Sequence, residues 1–173
     1  METFEITRAT VKDAEIVQKI AAATFLETYS AVNSEKNMQD YLASHYTLDQ
    51  FITELNHPFS EFYLAVLNQK IIGFLKINFG EAQTELQDKT ALEIERIYVL
   101  SDFHGKKIGQ LLFNKAIEIA KKDNLSYLWL GVWEKNPKAI RFYEKNGLTV
   151  FNKHLFQLGD EEQTDLMMKI ELH

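Results

Sequence analysis

The chain has 173 residues, 46 % of them hydrophobic and 25 % charged, which suits an ordinary globular domain with one core. Cysteine is absent, which excludes a disulfide framework, a cysteine zinc site and a thiol nucleophile. The net charge of -6 disfavours a nucleic-acid partner and suits a cationic small molecule, although it also serves solubility alone.

The first strand is predicted at Phe4–Arg8, with no basic n-region or apolar h-region of a signal peptide around it. Apolar residues at helical spacing predict a helix over Asp13–Tyr29, opened by a capping pair of Thr10 and Asp13. A second helix is expected over Ser34–Tyr46 and a third from the cap Thr47 to Leu55, ended by His57-Pro58. Two β-rich runs follow, Phe62–Leu67 and Ile71–Phe79, joined by a short Asn68-Gln69-Lys70 connection. Gly80–Lys89 is polar and reads as a loop, and Leu92–Leu100 as a strand. Ile108–Asp123 carries one apolar stripe and is the clearest helix. Tyr127–Val132 reads as a buried strand, and Pro137 opens a helix that ends at Asn146-Gly147. Strands at Val150–Gln157 and Leu166–Leu172 close the chain, joined by an acidic loop, Gly159–Asp165.

No run approaches the length of a membrane span, and no repeat or Pro/Gly-rich linker divides the chain. A single α/β domain over residues 1–173 is expected, with helices on both faces of a sheet and a cytoplasmic, membrane-free location. Five histidines are scattered without ligand spacing, so no metal is expected.

The strongest functional pattern is strand, glycine-containing turn, helix: Leu92–Leu100, Ser101–Lys107, Ile108–Asp123. Free N–H groups and the positive dipole end of such a helix suit pyrophosphate. Gly105 and Gly109 allow close backbone approach, and Lys106 and Lys107 put charge on the rim. The pattern is neither a Walker A loop nor a dinucleotide fingerprint, and a plain surface turn shares it. On the preceding strand Glu93 and Glu95 share one face, with Leu92 and Arg96 on the other. A carboxylate inside an apolar strand is costly unless paired or used, so Glu95 is either a base or the partner of a nearby Lys or Arg.

These segments resemble the GCN5-related N-acetyltransferase (GNAT) superfamily. Its pyrophosphate signature, Gln/Arg-x-x-Gly-x-Gly/Ala, corresponds to His104-Gly105-Lys106-Lys107-Ile108-Gly109. His104 replaces Gln/Arg and Lys107 replaces the first Gly. Downstream, Leu128–Val132, Asn136, Phe142-Tyr143 and Gly147-Leu148 follow the second half of the pattern. The stretches Leu92–Tyr98, Trp129–Asn136, Gly159–Leu166 and Thr24–Tyr29 look like the PaiA-type polyamine N-acetyltransferases.

The resemblance implies a mixed, mostly antiparallel sheet splayed between its two central parallel strands. It implies acetyl-CoA as co-substrate and spermidine or spermine as acceptor. A protein N-terminus or a drug amine is the alternative acceptor, and a non-catalytic acetyl-CoA-binding regulator the alternative to an enzyme. Ile97, Tyr98 and Val99 would bind pantetheine and the thioester through backbone N–H groups, and Asn136 would touch the cofactor. Tyr143 would be the acid at the sulfur, against a plain reading as a core aromatic. Glu95 would be the base, through a water. Glu27, Tyr29, Asp40, Tyr41 and Glu93 are the candidate acceptor contacts, and a homodimer is expected.

Overall fold

The computed structural model describes residues 2–173. In chain order its elements are β1 (Phe4–Arg8), α1 (Ala14–Tyr29), α2 (Glu35–His45), α3 (Leu48–Asn56), β2 (Ser60–Leu67), β3 (Lys70–Phe79), β4 (Ala91–Val99), α4 (Ile108–Lys122), β5 (Tyr127–Trp133), α5 (Pro137–Lys145), β6 (Thr149–Leu158) and β7 (Glu161–Glu171). The seven strands form one sheet in the order β1-β2-β3-β4-β5-β7-β6. Every neighbouring pair is antiparallel except β4 and β5, which run parallel.

Alternation along the strands sends apolar residues to both faces. On one face α4 and α5 cover Leu92, Ile94, Leu128 and Leu130 with Ile108, Leu112, Ala116 and Tyr143. On the other, Val17, Ile20 and Ala21 of α1 and Phe51 of α3 pack on Phe62, Leu64 and Phe74. Helices therefore lie on both faces, as composition and pattern lead one to expect.

Local signals hold at most boundaries. Thr10 and Asp13 form the expected capping box, and Thr47 and Gln50 form another at α3. The β2–β3 hairpin turns on two residues, Asn68 and Gln69, both at positive φ. The acidic segment before Leu166 is a correction. It is not a loop: β7 begins at Glu161, and the turn is Gly159-Asp160, closed by the Leu158–Glu161 pair. The partner strand β6 supplies a complete ladder, which overrides the poor strand propensity of Glu161 and Glu162. Asn37 of α2 donates to Asp160 Oδ1 at 2.6 Å, so this turn anchors the helical roof.

A second correction concerns β4. Lys76 pairs with Arg96 and Ile77 with Ile94, leaving Glu95 as the extra residue of a β-bulge. The bulge reverses the alternation. Arg96 thus joins Glu93 and Glu95 on the α1–α3 face instead of opposing them, while Leu92, Ile94, Ile97 and Val99 line the other face.

Candidate active site

β4 and β5 pair only from Ala91–Tyr127 to Ile94–Leu130. Beyond that point β4 stays with β3 as far as Val99, and β5 stays with β7 as far as Trp133. The strands therefore part, and the far half of β4 has a free edge whose alternate N–H and C=O groups point away from β3. Ile97 and Val99 aim their N–H groups at this edge; Leu100 N bonds Ile72 O, so Tyr98, two residues earlier, turns its N–H toward β3, which corrects its expected place as a backbone donor. A cavity of about 1080 Å³ opens between the parted strands and reaches α1, α4 and α5.

At one end of the cavity stands the start of α4. Its N-cap residue, Lys107, has φ 65° and offers no side-chain cap. The first intrahelical bond from this turn runs from Leu111 N to Lys107 O, so the N–H groups of Ile108, Gly109 and Gln110 precede the helical ladder. A Cβ added at Gly109 would meet nothing within 4 Å, so the backbone there is open to the cavity. This donor set fits a pyrophosphate. Lys107 holds a left-handed conformation that glycine adopts without strain, which explains the family's glycine at this place.

Lys107 lines the cavity, but Lys106 does not. Lys106 faces Glu2 at 3.5 Å and the ring of Phe103, which itself borders the cavity. His104 Nε2 lies 2.7 Å from the Val99 carbonyl and Nδ1 3.2 Å from Lys138 Nζ. Both contacts are satisfied when Nε2 carries the proton and Nδ1 accepts. His104 thus braces the end of β4.

The carboxylates on β4 are engaged. Glu95 lies 2.8 Å from Lys76 Nζ, 3.2 Å from Arg96 Nη2 and 2.8 Å from Asn78 Nδ2. Lys76 also pairs with Glu54 of α3. Burial alone would raise the Glu95 pKa, but Arg96 and Lys76 outweigh it and hold the carboxyl down at about 2. Glu93 is 3 % exposed and accepts from Asn78, from Thr84 N at 2.9 Å and from the Thr84 hydroxyl. Burial raises its pKa, and these bonds oppose the rise. Glu93 therefore clamps the segment after β3, and Gln83 pins the same segment to Trp129 Nε1 at 2.7 Å.

Tyr143 is buried at the cavity wall, against Phe142 and Phe113. Burial pushes its phenol above the ordinary value, so it keeps its proton at neutral pH. Asn136 lines the cavity and caps α5 through Oδ1, which accepts from Ala139 N. Its amide N–H donors are not used by that cap.

The α1–α2 side of the cavity is aromatic. Tyr29 packs on Phe25, Trp133 and Phe156, and Tyr41 stacks on Phe25 with ring centres 4.8 Å apart. Burial and the nearby Asp165 carboxylate raise the Tyr29 phenol. Burial also raises Tyr41, to about 12. The other expected acceptor contacts are not brought into this wall. Glu27 borders the cavity, but its carboxylate accepts from the N–H and hydroxyl of Ser101. Asp40 is paired with Lys36 on the exposed face of α2 and does not line the cavity.

Two site residues are missed when the sequence is read alone. A lysine inside the apolar run Ile71–Phe79 signals a buried ion pair, and Lys76 makes one. Asp165 lines the cavity from β7, where its strand parity matches Gln163 and Met167. Reading that segment as a loop hides the parity.

Residues 22–148 match the model of the Acetyltransferase (GNAT) family. The chain is 37 % identical to an uncharacterized N-acetyltransferase of the pepI 3′ region of Lactobacillus delbrueckii subsp. lactis, over 98 % of each chain. It is 25 % identical to the spermidine N(1)-acetyltransferase of Thermoplasma acidophilum, over 96 % of each. Its fold resembles that of the PaiA N-acetyltransferase of Thermoplasma acidophilum in complex with coenzyme A, with a TM-score of 0.80. That match has 23 % identity and covers 98 % of this chain and 99 % of the other.

Two predictions follow from the geometry. Replacing Lys107 by glycine removes a left-handed lysine but keeps every backbone donor. Calorimetric titration should show the acetyl-CoA affinity changed by less than about threefold, with no loss of thermal stability. A tenfold loss would make the lysine side chain the anchor. Glu95→Gln should destabilise the protein by about 3 kcal/mol at pH 7, because it strips a partner from buried Lys76 and Arg96. A folded pKa near 2 gives stability that is full above about 4.5 and lost as the pH falls toward 2. Denaturant melts should therefore show wild type and variant converging as the pH falls from 5 to 3. A gap constant with pH contradicts the ion-pair account.

Proposed function

The chain belongs to the acetyltransferase (GNAT) family, and on that premise we propose that it acetylates a primary amine of a polyamine. It is an N-acetyltransferase, and acetyl-CoA is its co-substrate. The observation that carries the acceptor reading is the α1–α2 side of the cavity, which joins the aromatic faces of Tyr29 and Trp133 to the carboxylate of Asp165. Such a wall suits a flexible chain of ammonium groups and apolar methylenes. The likeness to a spermidine N(1)-acetyltransferase along nearly the whole chain supports the same reading.

Acetyl-CoA supplies an activated acyl group as a thioester. Binding, orientation and proton movement fall to this chain. The N–H groups of Ile108, Gly109 and Gln110 take the pyrophosphate. The free edge at Ile97 and Val99 takes the pantetheine amides and the carbonyl oxygen that gathers charge. Asn136 adds an amide donor from the opposite strand's continuation. The attacking amine must lose its proton, since an ammonium has no lone pair. Glu95 is too acidic to store that proton, so it acts as a permanent anion that orients a water to carry the proton away. Tyr143 remains a neutral phenol and donates its proton to the departing sulfur. Glu93 shapes the acceptor side by fixing Thr84, and Tyr29 presents an aromatic face there. Glu27 contributes by holding Ser101 and hence the turn that leads to α4.

The direct test is thiol release from acetyl-CoA with spermidine, spermine, putrescine, a monoamine and a peptide N-terminus. The polyamines should exceed the monoamine and the peptide in kcat/KM by at least tenfold. A peptide preferred over every polyamine would overturn the acceptor reading, and no transfer to any amine would overturn catalysis. Tyr143→Phe should lower kcat tenfold or more with acetyl-CoA affinity nearly constant. Unchanged turnover removes the phenol from the mechanism.

A further inference from the structure

Five carboxylates line the cavity: Glu27, Glu85, Glu93, Glu95 and Asp165. Four are committed. Glu27 holds Ser101, Glu93 holds Thr84 and Asn78, and Glu95 is paired with Lys76 and Arg96. Glu85 accepts from His154 Nδ1 at 2.7 Å. The fifth is different. Asp165 is half-buried and lines the cavity, and its inner oxygen, Oδ1, has no hydrogen-bond partner among the described residues. Leaving a buried carboxylate oxygen unpaired costs on the order of 1–3 kcal/mol or more, so such a group calls for a use.

The surroundings of Asp165 define what it can bind. Its register partner on β5 is Trp133 and on β6 is His154. The imidazole of His154 is turned to Glu85, and among the described residues no cation is bonded to Asp165. Across the ladder stands Gly131, where an added Cβ would lie 3.5 Å from Asp165 Oδ2. The missing side chain leaves the carboxylate room beside the parted strands. Tyr29 and Trp133 form the adjacent aromatic wall, 5.0 Å between ring centres. An anion framed by π faces is a site for an ammonium.

We propose that Asp165 anchors a second, distal ammonium of the acceptor and so selects amines that carry more than one charge. The inference rests on the polyamine reading and sharpens it. β7 lies one strand spacing, about 4.8 Å, beyond β5, on the side away from the β4 edge. The reacting nitrogen must be neutral when it attacks, whereas the distal nitrogen stays protonated. Asp165 binds the second while the splay holds the first. Asp165 is thus a specificity residue that takes no part in proton transfer.

The test compares kcat/KM for spermidine and for hexylamine, a chain of similar reach with one charge. Wild type should favour spermidine at least tenfold. In Asp165→Asn and Asp165→Ser that ratio should fall at least tenfold, mainly through KM for spermidine, because a remote anchor gives binding shared by ground and transition states. Preference retained in both variants overturns the anchor and leaves the polyamine reading standing. No preference in wild type overturns the polyamine reading and the anchor with it. A measurement without substitution guards against misfolding: in wild-type protein labelled with 13C at aspartate, saturating spermidine should shift the Asp165 carboxyl resonance, and hexylamine should not. A resonance unmoved by spermidine overturns the anchor.

Discussion

The active site depends on one interruption of backbone pairing. β4 and β5 are hydrogen-bonded from Ala91–Tyr127 to Ile94–Leu130 and then part. Each strand has another partner to follow. β4 remains laddered to β3 through Val99, and β5 to β7 through Trp133. Open backbone groups in a protein interior are expensive unless something satisfies them. Here they border a cavity that also meets the uncapped start of α4, so a ligand with amides and a pyrophosphate completes both.

The bulge at Glu95 sits where the strands separate. It brings Glu95 and Arg96 to the same face, where Lys76, Glu54 and Asn78 join them. Replacing one member of such a cluster exposes the rest as unpaired buried charge. The network therefore ties β4 to β3 and α3 as β5 diverges from it. It also keeps Glu95 ionised, while burial keeps Tyr143 neutral, so an anion and a proton donor share one cavity.

Much of this was legible in the order of residues. The stripe of Ile108–Asp123, the buried run Tyr127–Val132, the caps at Thr10 and Thr47 and the helix opened by Pro137 all express local physics. The glycine-bearing turn before α4 and the later Asn136 and Tyr143 pointed to a cofactor groove for the same reason. What escaped depended on tertiary context. A bulge inserts one residue without a local signature, so Arg96 fell on the wrong face. Strand propensity failed at Glu161 and Glu162 because pairing with β6 decided the matter. The tasks of Glu27 and Glu93 followed from Ser101 and Thr84, whose approach is long-range for the first and loop-dependent for the second. Asp165 became visible only once its neighbours were known to be occupied.

The central claim is that the parted edge of β4 and the first turn of α4 together hold acetyl-CoA through backbone amides. Amide hydrogen exchange, resolved by residue with and without acetyl-CoA, tests it most directly. Exchange should slow at Ile97 and Val99 and among Ile108, Gly109 and Gln110 when the co-substrate is added. Protection confined to other segments, with both of these stretches unchanged, would contradict the account.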